Sequence, residues 1–283
     1  MAFRDFASSS RARALSLVRT REPAVLWGNE PMNGGNYLYL WATAWARQRR
    51  TDVCWQVRAK PRMAPWLREF PALAQLTVSG ADVSWRQKRT VEWGQQAGTD
   101  WEFDDLTVFA RRFLLSSASF SGRLASVDRD AVVVNVRRGD YYRVPENRRN
   151  YGFNIEGYVS AAIARVPLED RGRIVLVSDD VDWCRRHLGF LQEHGEVSTL
   201  PGEHDMFQDF AQLTGARHLI LANSTFSFWG AYCAGALPTG QGPRRVQVPA
   251  IHNRLYDRER SILLPPEWAA LTEAEFDAGE QVG

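Results

Sequence analysis

Residues Ala131–Tyr141 read AVVVNVRRGDY. A short β-branched apolar run ends abruptly in two arginines, a glycine and an aspartate. The run predicts a buried strand over 132–136. Its polar end places two permanent positive charges at the C-terminal edge of that strand, where open α/β sheets hold their ligands. The guanidinium fork suits phosphate oxygens and stays protonated at any working pH. The segment therefore points to an anion site, with a diphosphate as the natural occupant. The plainer alternative is a strand followed by a charged surface turn.

The rest of the chain repeats the pattern. Strands are expected at 23–27, 52–57, 132–136, 173–178, 196–200, 218–222 and 246–249. Helices are expected at 37–49, 154–166, 181–188, 205–215 and 224–234, the first carrying Leu38, Trp41 and Trp45 at helical spacing. The region 60–124 mixes prolines, tryptophans and short apolar runs, with helices expected over 106–125 that close the first half. Strands alternating with helices favour a mostly parallel sheet covered on both faces. A break near 126–129 divides the chain into a first domain of 1–126 and a second of 127–283, within the size range of two modest domains.

The bulk numbers narrow the function. A net charge of +2 over 283 residues argues against a general nucleic-acid binder. Eleven tryptophans are unusual; most belong in cores, and others suit a sugar subsite, because an indole face packs on a sugar's C–H surface. The three cysteines, Cys54, Cys184 and Cys233, show no CxxC spacing and read as buried free thiols in a reducing compartment. No apolar run reaches the length of a membrane span. Residues 1–21 lack a sustained apolar stretch and a cleavage site and read as a frayed or helical lead-in. The expectation is a cytoplasmic chain, associated with a membrane only peripherally and through its substrate. The five histidines show no metal-ligand spacing, with His187 and His194 read as surface residues, and no metal site is expected.

Four polar clusters fall just after predicted strands, and in a parallel sheet those ends share one edge. In the first, Gly34 and Gly35 precede Asn36 and a helix; glycines permit tight turns, and a helix start offers N–H groups to an anion. It is neither a Walker loop nor a clean GxGxxG, and a plain turn is the alternative. The second is Arg137, Arg138, Gly139 and Asp140. In the third, Ser178, Asp179 and Asp180 suit ribose hydroxyls or a purine amine, or else cap the following helix. In the fourth, Asn223, Ser224, Thr225, Phe226 and Ser227 open a helix and either cap it or grip a phosphate.

Three segments in order, Val134–Tyr141 (VNVRRGDY), Ser178–Cys184 (SDDVDWC) and Ala222–Tyr232 (ANSTFSFWGAY), resemble the motifs of glycosyltransferase family 11, the α-1,2-fucosyltransferases. Gly34–Asn36 with its aromatic-rich helix is similar to the family's N-terminal start, more loosely. The resemblance runs from about Pro23 to Trp268. It implies a GT-B-like fold, two facing Rossmann-like domains with mostly parallel sheets. It also implies an inverting, metal-independent transfer of L-fucose from GDP-fucose to a glycan hydroxyl, with no cofactor beyond that donor. The second half would bind the nucleotide sugar and the first half the acceptor, near Gly34–Trp41. Without a metal, arginines and helix N–H groups must carry the charge developing on the leaving diphosphate. Arg137 and Arg138 are the candidates, assisted by Ser224, Thr225 and Ser227, although one arginine can instead pair structurally with Asp140. The family's histidine stands here as Asn135, which donates and accepts hydrogen bonds but cannot serve as a base. Asp140, the other candidate, makes a poor base if an arginine holds it. Phe228 replaces the family's tryptophan. The implied acceptor is a surface-polysaccharide or lipid-linked glycan. The alternatives are a transferase of another deoxysugar such as rhamnose, and a catalytically silent protein that binds a nucleotide sugar or glycan.

Overall fold

The structure, a computed structural model, describes residues 18–29, 32–202 and 205–277; most of the predicted N-terminal lead-in lies outside them. The chain divides into two compact units, the first ending at Phe109 and the second beginning at Ala110. Both are α/β units with entirely parallel sheets, as the alternating pattern requires.

The first unit runs β1 (Arg21–Gly28), α1 (Asn36–Arg50), β2 (Trp55–Arg58), α2 (Ala64–Glu69), β3 (Thr77–Val78), β4 (Gln87–Glu92) and α3 (Phe103–Phe109), with strand order β3-β2-β1-β4. Leu38 and Trp41 of the predicted stripe are fully buried, and the Trp41 indole N–H donates to Thr77 Oγ1 at 2.9 Å. The last turn of α1 is basic, which suits the negative end of the helix dipole. Arg47 bridges Glu92 at 2.7 Å and Asp100 at 2.9 Å. Arg49 and Arg50 share Asp105 on α3. These pairs staple α1 to the irregular stretch behind β4.

The second unit runs α4 (Ala118–Ala125), β5 (Val132–Val136), α5 (Gly139–Arg143), α6 (Pro145–Tyr151), α7 (Ile155–Ile163), β6 (Arg173–Ser178), α8 (Val181–His187), β7 (Glu196–Thr199), α9 (Met206–Gly215), β8 (His218–Ile220), α10 (Thr225–Gly235), β9 (Arg245–Pro249), β10 (Ala269–Leu271) and α11 (Glu273–Asp277). The strand order is β10-β9-β8-β5-β6-β7. The boundary lies upstream of the expected 126/127. The reason is that α4 packs on α9, Phe120 against Phe210 at 5.5 Å, with Arg123 paired to Asp205 at 2.8 Å.

Alternate residues of β5 face opposite layers. Val132, Val134 and Val136 join Tyr158, Val159, Ala162 and Ile163 of α7 and Cys184 and Leu188 beside β6 in one core. The Tyr158 hydroxyl, buried there, donates to the Leu221 carbonyl at 2.8 Å. Cys184 and Cys233 are buried free thiols, and burial pushes both thiols up. Cys54 is also free but exposed, which corrects the expectation that all three are buried. It follows the helical turn that ends α1, outside any core. No helix among the described residues is long and apolar enough to cross a membrane.

Helices α9 and α10 approach closely at Gly230, where a β-carbon would sit 2.6 Å from Leu213 Cβ. In an open helix, Gly→Ala gains about 1 kcal/mol of helix propensity. Here the forced overpacking, about 1–3 kcal/mol, dominates. Gly230→Ala is expected to lower the unfolding free energy in urea titration, whereas Gly122→Ala on α4, with open space around it, is expected to raise it.

Candidate functional site

The second sheet grows outward from β5 in two directions. The chain passes β5 to β6 to β7 on one side, then returns to β8 on the other, so the order reverses between β5 and β8. In such sheets ligands bind outside the strand ends at the reversal. The loops after β5, β6 and β8 bring together Asn135, Arg137, Arg138, Asp140, Ser178, Asp179, Asp180 and residues Asn223–Ser227.

The arginines do not stand bare. Arg137 Nη1 lies 2.9 Å from Asp179 Oδ2, and Arg137 Nη2 donates to Asp140. Asp179 Oδ1 also accepts the Arg138 backbone N–H at 2.8 Å. This closure needs Gly139, because a β-carbon there would fall 2.4 Å from Asp179 Oδ2. Arg138 donates its Nε–H to Asp180 at 3.2 Å. Its guanidinium stacks between Trp183 and Tyr142, 4.1 and 4.7 Å from the ring centroids, a contact arginine makes well. Among the described residues its Nη groups have no hydrogen-bond acceptor, and it lines a cavity of about 290 Å³ with Tyr142, Arg148, Asn154 and Trp183. Three carboxylates therefore face two guanidiniums at the β5 and β6 ends, and Arg138 is the arginine with donors uncommitted.

Asp180 Oδ1 accepts the Trp183 N–H at 3.2 Å and caps α8, and its own N–H donates to Ser178 Oγ at 3.0 Å. Of the two roles open to this cluster in the sequence, helix capping and arginine pairing are the ones the geometry displays.

Asn135 is 6% exposed. Its Nδ2 donates to the Val177 carbonyl at 2.9 Å, and its Oδ1 accepts the Ala222 N–H at 3.4 Å and the Ser227 hydroxyl. Asn135 thus ties the ends of β5 and β6 to the β8–α10 connection. Asn223 is also buried, donating from Nδ2 to the carbonyls of Tyr151 at 2.9 Å and His252 at 3.1 Å.

Helix starts at this edge differ in one respect. Asn154, Asp180 and Asp205 cap α7, α8 and α9 with their side chains. Ser224 occupies the same position before the 11-residue α10, and its side chain makes no cap hydrogen bond. The leading N–H groups of a helix have no partner within it, and here the side chain at the cap position accepts none of them, unlike those of Asn154, Asp180 and Asp205. The first unit behaves differently at Gly34–Asn36. Gly34 adopts φ +48° in the turn. The N–H groups of Asn36, Tyr37 and Leu38 donate to the carbonyls of Asn33, Gly34 and Gly35, while Asn36 Oδ1 accepts from Gln95 at 2.7 Å. Those three amides are already engaged, contrary to the picture of open N–H groups at that turn.

Three neighbours escape sequence reasoning. Trp183 lies within one resembling motif and Tyr142 one residue past another, yet nothing in spacing announces that they sandwich Arg138. His252, in the loop after β9, shares its Nδ1 with the Asn223 carbonyl at 2.9 Å and packs edge-on against Tyr151 and Phe228. Burial holds its imidazole below the ordinary range, ahead of the opposing effects of Asn223 and Asp257.

The unfolded chain therefore binds a proton at His252 more readily than the native one. The stability associated with the neutral ring is complete above the unfolded value of about 6.5 and is lost as pH falls below it. Urea titrations from pH 7.5 to 5 are expected to show wild type losing stability relative to His252→Gln, the two curves converging on acidification. Parallel curves would remove His252 from this role.

The sequence model of glycosyl transferase family 11 matches residues 103–241. The bovine galactoside 2-alpha-L-fucosyltransferase SEC1 is 28% identical over 141 residues, 50% of this chain and 38% of that protein. The human galactoside alpha-(1,2)-fucosyltransferase 1 is 34% identical over 118 residues, 40% of this chain and 32% of that protein. The chain thus spans about a third of the length of the curated relatives it matches. Crystalline POFUT1 in complex with GDP-fucose has a TM-score of 0.40 and 14% identity, over 83% of this chain and 76% of that one.

Proposed function

Residues 103–241 make this chain a member of glycosyl transferase family 11, and from that premise we propose that it transfers L-fucose from GDP-fucose to a glycan hydroxyl. Relatives that match 40–50% of the chain are named as galactoside α-(1,2)-fucosyltransferases, which supports fucose as the sugar and an α-1,2 linkage to the acceptor. The observation that carries the reading is the uncapped start of α10 beside the arginine-bearing end of β5, at the point where strand order reverses.

As the bond between fucose C1 and the β-phosphate oxygen breaks, negative charge collects on the departing diphosphate. In this reading Arg138 donates from its Nη groups, while the leading amides of α10 and the hydroxyls of Ser224 and Thr225 supply the remaining donors. Preorganised donors at a developing charge lower the barrier because they need no reorientation during reaction. Arg137 and Asp179 act one step back, fixing the β5–β6 edge from which Arg138 projects. The acceptor hydroxyl attacks from the face opposite the diphosphate and gives up its proton to solvent or to the released diphosphate, so the anomeric centre inverts, and no metal takes part. Asn135 does not take the acceptor's proton, since a carboxamide is no base and its polar atoms are engaged. The acceptor's surface-glycan character belongs to the same proposal.

A thermal-shift panel of GDP, UDP and dTDP tests the donor. At a hundredfold excess over Kd, a ligand that binds only the native state adds about 2.7 kcal/mol. GDP alone is expected to raise Tm, with EDTA without effect on turnover. Arg138→Ala is expected to lower kcat/KM for GDP-fucose by about 10²–10³ with an unchanged far-UV spectrum. Near-normal turnover in that variant contradicts the mechanism, and tight GDP binding without any turnover assigns the chain to the silent nucleotide-sugar binders.

A further inference from the structure

The first unit contains a cluster that this reading does not use. The penultimate residue of β1 is Trp27, whose ring has the Arg58 guanidinium 4.0 Å from its centroid and that of Arg89 5.1 Å from it. Register explains the meeting. Leu26 lies opposite Val57 on β2, so the next residues, Trp27 and Arg58, stand level on adjacent strands, while Arg89 on β4 lies opposite Val25, two residues before Trp27 on the same face. Arg19 approaches the same edge, donating from Nε to the Trp85 carbonyl at 3.2 Å.

Among the described residues none of these three arginines has a carboxylate partner. Elsewhere in this unit, Arg47, Arg49 and Arg50 all do. The Nε atoms of Arg58 and Arg89 are both buried and without a hydrogen-bond partner. Arg89 donates once, to the Ser84 carbonyl at 3.0 Å, and Arg58 donates to nothing. Burial, then the charges of Arg19 and Arg58, push the Arg89 guanidinium below its ordinary value. Like charges gathered round one ring, with buried donors unsatisfied, form an arrangement that lacks its anion.

We propose that Arg58 and Arg89, with Arg19 beside them, form a second anion site on the first unit that takes a phosphate group, with Trp27 as its floor. Arginine holds phosphate through paired N–H donors, and the ring keeps both guanidiniums in place without neutralising them. A free phosphate or phosphorylated glycan and a lipid headgroup share this chemistry. Trp85 and Val91, 59% and 64% exposed on or beside β4, would lie in the interface if the phosphate belongs to a lipid.

Two measurements on the full chain decide it: isothermal titration with inorganic phosphate at low ionic strength, and co-sedimentation with phosphatidylglycerol against phosphatidylcholine vesicles. Wild type is expected to bind phosphate or the anionic vesicles, and Arg58→Gln/Arg89→Gln to bind at least about tenfold more weakly. Binding of free phosphate assigns a soluble ligand; binding of anionic vesicles alone assigns a headgroup. Arg138→Ala, altered in the other unit, is expected to retain this binding, so its loss of turnover and the loss of this site are separable. If the double variant does not fold, Arg58→Gln alone carries the test, since that side chain makes no hydrogen bond or ion pair in the structure. Undiminished binding in the variants, or a wild type that binds neither probe, overturns the proposal.

Discussion

The candidate site depends on one buried carboxamide. Asn135 is the last inward-facing polar residue of β5 before the arginines, and it engages the β6 end, the β8 end and the first turn of α10 together. A buried amide costs several kcal/mol unless its partners are present, so these three ends are held in one register or the fold loses stability. Everything chemical at this edge is then placed by short links from a fixed point. Arg137 and Arg138 follow Asn135 by two and three residues, and Ser227 sits in the first turn of α10. Asn135 therefore serves as the scaffold of the candidate site.

The electrostatics follow from that placement. Two arginines on a strand end look like a strong anion trap, but Asp140, Asp179 and Asp180 answer them. Paired guanidiniums are rigid and correctly aimed, yet they offer fewer free donors. The balance shifts to donors that carry no formal charge, the amides and hydroxyls at the start of α10. Under the proposed function, a site built this way favours a diphosphate by geometry more than by bulk attraction, which is consistent with a chain whose net charge is only +2.

The parts readable in the sequence are those where local pattern and burial agree. The strands over 132–136 and 173–178 are mainly apolar and are followed by charged residues, and both ends fall where expected. Strand β4, with the sequence QKRTVE, has no apolar run because most of its side chains are solvated or ion-paired, so pattern alone cannot find it. The short helices α5 and α6 escape for a similar reason: no side chain of either is fully buried. The division into compact units before α4 is not legible in the pattern, because α4 is amphipathic and its partner α9 lies far downstream in sequence. In the site, residue identities were legible, but pairing was not. Which carboxylate holds which arginine, and which helix start is left uncapped, are properties of three dimensions.

The most direct test of the account concerns the start of α10. Amide hydrogen exchange followed by mass spectrometry, with and without GDP, reports which backbone N–H groups the nucleotide engages. Peptides covering residues 222–230 are expected to gain protection, while peptides over 36–41, whose amides are already bonded within their own turn, are expected to stay unchanged. Protection at 36–41 with none at 222–230 would contradict the placement of the diphosphate and the mechanism built upon it.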